Sequence, residues 1–152
     1  MSGRLSNASQ SDLLKLLFQN VAWANVGNTA GLQPSSAPGN FYIALHTADP
    51  GAAGNQHTSE ANYTSYARQG VARSSAGWVI SGSSPTAATN AAVIAFPACT
   101  GGSETETWFS LGVDVSSLTG EALFQGPLTA SLAVSSGITP SFAIGALTCT
   151  MD

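Results

Sequence analysis

Charge is what this sequence has least of. Asp, Glu, Lys and Arg make up only 8% of its 152 residues, against about 25% in an ordinary soluble domain. Arg4, Lys15, Arg68 and Arg73 are its basic residues, and the formal net charge is -4. That excludes the basic footprint a nucleic-acid binder needs and the polybasic segment of a membrane-surface protein. Nowhere does an apolar run approach the ~18 residues of a membrane span. The apolar stretch over residues 13–23 is broken by Lys15, Gln19 and Asn20 and leads into no clean cleavage site. It does not read as a signal peptide, so the chain is expected to be made in a reducing cytoplasm. Two cysteines, Cys99 and Cys149, stand far apart beside strand-like residues. They read as buried free thiols, with later pairing left open, and two lone cysteines are too few for a metal site. Repeats of fixed period and coiled-coil heptads are also missing, which excludes a repetitive fibre shaft.

What is present is small and polar. Serine and threonine make up about a quarter of the chain, well above ordinary usage. Hydroxyls, amides and glycine must therefore cover the surface. In an assembly such a surface is useful, since few charges need desolvation at an interface. One domain-sized β unit is expected over residues 40–152, preceded by an arm, a helix and a linker over residues 1–39. Residues 1–8 read as a polar arm. Ser9 and Asp12 fit a capping pair, and Leu13, Leu14, Leu17, Phe18 and Val21 follow at helical spacing. The apolar face of this helix is wide. Leu13, Leu17, Phe18, Val21 and Trp23 are accordingly the expected assembly interface.

Beyond Asn40 the pattern is one of short strands with Gly, Ser and Pro turns. They are expected at residues 41–46, 66–73, 77–81, 91–96, 106–113, 121–125, 128–134 and 142–150. The 121–125 and 128–134 segments read as a pair joined through Gly126 and Pro127. In 106–113, Thr107, Phe109, Leu111 and Val113 alternate onto one face. No helical pattern recurs between strands. The fold class expected is mainly β, an antiparallel sandwich or barrel-like domain with one N-terminal helix.

Residues with catalytic or ligating chemistry are sparse. His46 and Asp49, with His57 and Glu60, give His-x-x-Asp and His-x-x-Glu, a spacing that matches no helix-borne zinc motif. The plainer reading is a strand-end histidine bonding a turn carbonyl, with Asp49 opening its own turn. Serines abound, yet no Gly-x-Ser-x-Gly elbow is present. Glu104 and Glu106 read as a solvated strand start. Trp23, Trp78 and Trp108 read as core or interface anchors rather than a sugar-stacking platform. Residues 48–63 form a long polar segment, and a loop of that length is functional or needs ordering. Asp49, Asn55 and His57 are its candidate binding residues. No catalytic residue, cofactor or metal site is expected.

Two stretches are more distinctive: NFYIALHTADPG at residues 40–51 and YTSYARQGVAR at residues 63–73. Softer matches follow at Gly77 and Trp78, at residues 94–102, 108–112, 123–129 and 137–142. Together they resemble a family of small virion proteins of tailed bacteriophages, of the tail-fibre-like and head-decoration kind. The resemblance spans residues 40–150. It implies a virion part assembled in the host cytoplasm, with no enzyme activity and no catalytic residues to carry over. The expected role is a capsid-decorating cement protein, with a tail-associated fibre or adaptor protein that binds a host receptor or glycan as the alternative. The expected partners are further copies of the chain, as a homotrimer, and virion proteins such as the major capsid protein, with no nucleic acid and no membrane.

Overall fold

The computed structural model describes residues 4–83 and 85–151. In chain order the elements are α1 (Asn7–Gln19), β1 (Asn40–His46), β2 (Gln69–Ala72), β3 (Trp78–Ser81), β4 (Thr86–Asn90), β5 (Ile94–Ala95), β6 (Ser103–Gly112), β7 (Ala122–Ser135), β8 (Ser141–Phe142) and β9 (Thr148–Met151). The fold is mainly β with one N-terminal helix, and its sheets have the orders β2-β1-β6-β7, β3-β4-β9 and β5-β8. The resolved strand pairings are antiparallel. Among the described residues no sheet closes into a barrel. The chain divides into two compact units, one of residues 4–39, Ala72–Val93 and 142–151, the other of Asn40–Val71 and Ile94–Ser141.

The first unit is a helix laid on the β3-β4-β9 sheet. The helix begins a turn earlier than the sequence suggests. Ser6, not Ser9, is the N-cap, and its hydroxyl accepts the Ser9 N–H at 3.3 Å. Of the expected polar arm, residues 1–3 lie outside the described residues, and Asn7 and Ala8 are already helical. At the other end Asn20 turns left-handed, with φ 57. The Val21 N–H then reaches back to the Lys15 carbonyl at 3.2 Å, closing the helix as a Schellman-type end does. Arg73 adds a cation there, donating to the Leu16 carbonyl at 2.9 Å and to that of Leu17, where the helix dipole favours positive charge.

Gln10, Leu14 and Phe18 form the buried row of the helix. Phe18 meets Trp78 edge-on at 4.8 Å between ring centroids. The buried side chains of Gln10, Thr86 and Asn90 in this unit are neutral and bonded. Thr86 donates to Gln10 Oε1 at 3.0 Å. Asn90 donates to the Ala92 and Ala143 carbonyls at 2.7 and 2.8 Å and accepts the Leu147 N–H at 2.9 Å. Cys149 is buried here as a free thiol, and burial pushes it up to about 12.

In the second unit β1 lies inside its sheet with Ile43, Ala44, Leu45 and His46 all buried. Its register with β6 puts Leu45 opposite Phe109 and Ile43 opposite Leu111 on one face. Ala44 opposite Ser110 and His46 opposite Trp108 take the other. This confirms the alternation of Phe109 and Leu111, while Val113 falls beyond β6 and is exposed. The expected pair at 121–125 and 128–134 is instead one strand, β7, continuous through Gly126 and Pro127. It pairs along β6, with a register break opposite Glu106 and Trp108. A proline is tolerated because β7 is the edge of its sheet, where the missing N–H breaks no ladder bond.

Candidate functional site

The long polar segment after β1 is ordered by its own side chains. Asp49 Oδ1 accepts the Gly51 N–H at 2.8 Å, and Asn55 Oδ1 accepts the His57 N–H at 2.9 Å. Each is the local side-chain turn that Asp and Asn favour. The neck of the loop is closed by the Thr47 N–H on the Ser59 carbonyl at 2.9 Å and the Ala61 N–H on the Leu45 carbonyl at 2.8 Å. Gln56 is the peg at its centre. It is fully buried, with its backbone N–H on the Gly120 carbonyl at 2.9 Å and Nε2 on the Tyr42 carbonyl at 2.8 Å. The peg lies so close to Gly112 that a Cβ there would collide with the Gln56 side chain and the Glu121 carbonyl.

This loop, with residues 66–68 and 115–118, lines an open cleft of about 560 Å³. At its base Glu60 and Arg68 form a two-pronged pair. Arg68 Nε donates to Oε1 at 2.7 Å and Nη2 to Oε2 at 2.8 Å. The remaining guanidinium bonds go to the Asp114 and Ser117 carbonyls at 3.0 Å each. Arg68 thereby ties three chain segments together. Tyr66 donates its hydroxyl to Glu60 Oε1 at 3.1 Å and accepts the Leu45 N–H.

Burial works to raise the Glu60 carboxyl, but the Arg68 bonds and charge, with His57 and Tyr66, hold it below its ordinary value. The bonds to Glu60 raise Arg68 in turn. Both charges are therefore fixed, and both are spent on each other. The rim is different. His57 is exposed with Nδ1 at 3.3 Å from Glu60 Oε2, while Val115 and Leu118 are 55% and 65% exposed. Ser59, on the cleft wall, holds a left-handed φ of 52, a conformation that costs a non-glycine residue about 1 kcal/mol or more.

His46 is fully buried. Its Nδ1 bonds the Thr58 carbonyl at 2.9 Å and must donate, so Nε2 accepts from the Ser110 hydroxyl at 2.7 Å. Burial lowers its pKa and keeps the ring neutral. The Ser–His contact is thus a strand-to-loop tie in which a backbone carbonyl stands where a triad would need an acid. His46, Asp49, His57 and Glu60 do not converge on a common point: His46 and Asp49 are committed to their turns, and Glu60 to Arg68. Among the described residues no three His, Cys, Asp or Glu side chains are grouped to hold a metal.

The remaining sequence-derived candidates are dispersed. Phe18 is core, Leu13 and Leu17 are half-buried, and Val21 and Trp23 fall past the helix end, Val21 exposed and Trp23 half-buried beside Leu32. Trp78 is fully buried and Trp108 half-buried, so Trp78 offers no stacking surface. Glu106 corrects the expectation of a solvated strand start. It is fully buried, and Glu104 accepts the Asn62 and Tyr63 N–H groups at 2.8 Å each. Gln56, Tyr66 and Arg68 were not singled out for chemistry in the sequence, although a lone arginine between aromatic and strand-forming residues was a signal of ion pairing.

The family model described as podophage GP4 fiber I protein gp80 matches residues 4–150, nearly the whole chain. The chain belongs to that family. The family is one of virion structural proteins of tailed phages, so the chain is a component of the phage particle. A comparison with curated proteins gives no match. Membership extends the resemblance seen from residue 40 onward across α1 and its linker as well.

Proposed function

We propose that this chain is a non-enzymatic structural subunit of a fibre on the particle, assembled as a homo-oligomer, a trimer in the first instance, against other virion proteins. The observation that carries the reading is the match over residues 4–150 to a family described by a fiber protein. A non-enzymatic role is supported by how the polar groups of the cleft are used. Glu60 and Arg68 neutralise each other, and the Ser110 hydroxyl is sealed behind β1 and its loop. Assembly is supported by the scarcity of charge, which lowers the desolvation cost of an interface. Exposed Val115 and Leu118 at the cleft rim give a partner or receptor apolar area beside the polar groups of His57 and Asn62.

Decoration of the head shell is the other position such a low-charge virion protein suits. Particles assembled without this chain separate the two. The fibre role predicts intact, full heads that lack a fibre in electron micrographs and adsorb poorly to host cells. Heads that lose DNA on osmotic shock while every fibre remains would overturn the fibre assignment in favour of decoration. Sedimentation of the purified chain as a monomer at high concentration would remove the homo-oligomer.

A further inference from the structure

The cleft of about 560 Å³ lies within the second unit, and one side chain holds both of its walls. Arg68 grips Glu60 on one wall and the Asp114 and Ser117 carbonyls on the other. The Asp114 carboxylate orders the second wall further by accepting the Ser116 and Ser117 N–H groups at 2.9 and 2.7 Å. Walls fixed in advance lower the entropy cost of binding, and the volume suits a small ligand, for which sites of roughly 300–1,000 Å³ are usual.

The walls offer polar groups that are unspent and uncharged. Among the described residues the side chains of Ser59, Asn62 and Ser116 have no partner in the chain. Glu60 is ionised against Arg68 and can only accept, so Nδ1 of His57, 3.3 Å from Oε2, carries the proton. Nε2 of His57 is left as an acceptor without a partner. Two hydroxyls, an amide and a ring nitrogen thus supply donors and acceptors together. Val115 and Leu118 add exposed aliphatic surface.

The charges exclude other ligand classes. No lysine and no second arginine lines the cleft, and the carboxylates of Glu60 and Asp114 against one guanidinium leave the surroundings negative, which disfavours an anion. Both Glu60 oxygens are taken by Arg68, Tyr66 and His57, so Glu60 offers no free ligand to a metal. A neutral sugar suits what remains, since each of its hydroxyls both donates and accepts and its ring carries an apolar C–H face.

We propose that this cleft binds a neutral saccharide, whose hydroxyls bond the polar groups of His57, Ser59, Asn62 and Ser116 and whose C–H face lies on Val115 and Leu118. A saccharide site deepens the fibre reading and rests on it for a role on the particle, whereas binding by the purified chain depends on the fold alone. A failed titration would therefore leave the fibre reading standing, and gold over the head shell would remove the role and not the binding.

The test is an amide NMR titration of the purified full chain. The probes are neutral trisaccharides of glucose, galactose, rhamnose and N-acetylglucosamine, with sialyllactose as the acidic counterpart. At least one neutral sugar is expected to give saturable shifts confined to residues 57–68 and 115–118, and sialyllactose weaker ones. Asn62→Ala and Leu118→Ala, both at exposed side chains, should each weaken that sugar about five- to ten-fold, the loss of a bond or two or of an apolar contact. Ile144→Ala, exposed in the first unit, should leave binding unchanged. The absence of a saturable shift with every neutral sugar would overturn the proposal. So would equal or tighter binding of sialyllactose, or full affinity in both cleft variants. Shifts at the same residues with a neutral glycine–serine peptide and with no sugar would overturn it as well, and make the cleft a peptide site.

Discussion

The two units bury polar groups in opposite ways. In the first, Gln10, Thr86 and Asn90 are neutral and their amides and hydroxyls are bonded. In the second, Glu60, Arg68, Glu106 and His46 bring ionisable groups inside. A neutral amide costs little to bury once bonded, whereas a buried charge holds only while its partner stays in place. The first unit should thus behave as an ordinary packed core, insensitive to pH. The second should respond to pH and to the loss of single partners. Its cleft is lined by Glu60 and Arg68, so shape there should depend on that pair staying intact.

Substitutions can break or sharpen this contrast. The largest effect is expected from Phe18→Ala, which empties the space against Trp78 and should cost about 3–5 kcal/mol. Urea denaturation should give the same loss at pH 5 and pH 8. Arg68→Met should cost about 3 kcal/mol near neutral pH, because it leaves Glu60 buried and unpaired. This loss should depend on pH. The folded Glu60 carboxyl lies below its ordinary value, so the stability it gains from Arg68 is present above the unfolded pKa and lost as pH falls through the folded one. The gap between wild type and variant should accordingly narrow in acid, and an unchanged gap would count against the ion pair as the cause.

Asn90→Ala removes three bonds within the first unit and should cost about 2 kcal/mol by leaving the Leu147 N–H and the Ala92 carbonyl unpaired, again without pH dependence. Glu106 has the reverse sign from Glu60. Its folded pKa is raised to about 8 from 4.5, so its contribution is complete below pH 4.5 and drains away as pH rises to about 8. Thermal melts should show wild-type stability declining across that window and Glu106→Gln declining less. The smallest effect is expected from Ser110→Ala, about 1 kcal/mol for one bond to a neutral ring.

Local signals carried much of the architecture. Leu14 and Phe18 at helical spacing located the helix, and Phe109 and Leu111 at alternate positions located β6. Errors arose where a local rule had two outcomes. Ser6 and Ser9 can both cap, and the earlier one does. Asn20 goes left-handed and cuts Val21 and Trp23 from the helix. Gly126 and Pro127 look like a turn, yet an edge strand can carry them. β4 reads Thr-Ala-Ala-Thr-Asn and lacks the branched apolar residues that mark a strand. The turn of Asp49 and the bonded ring of His46 were legible for the same local reasons.

The heart of the site was not legible. Glu60 and Arg68 are eight residues apart, and no helix or strand rule joins that spacing. Glu106 lies on the polar face of an alternating strand, which pattern reading assigns to water. Here residues 56–66 cover that face, and only the fold reveals the cover.

The central claim, that the chain is a fibre subunit of a phage particle, is tested most directly by immunogold labelling of purified virions with antibody to this chain. The fibre role predicts gold confined to fibres or their attachment point on the tail. Gold distributed over the head shell would contradict it and make capsid decoration the function to pursue.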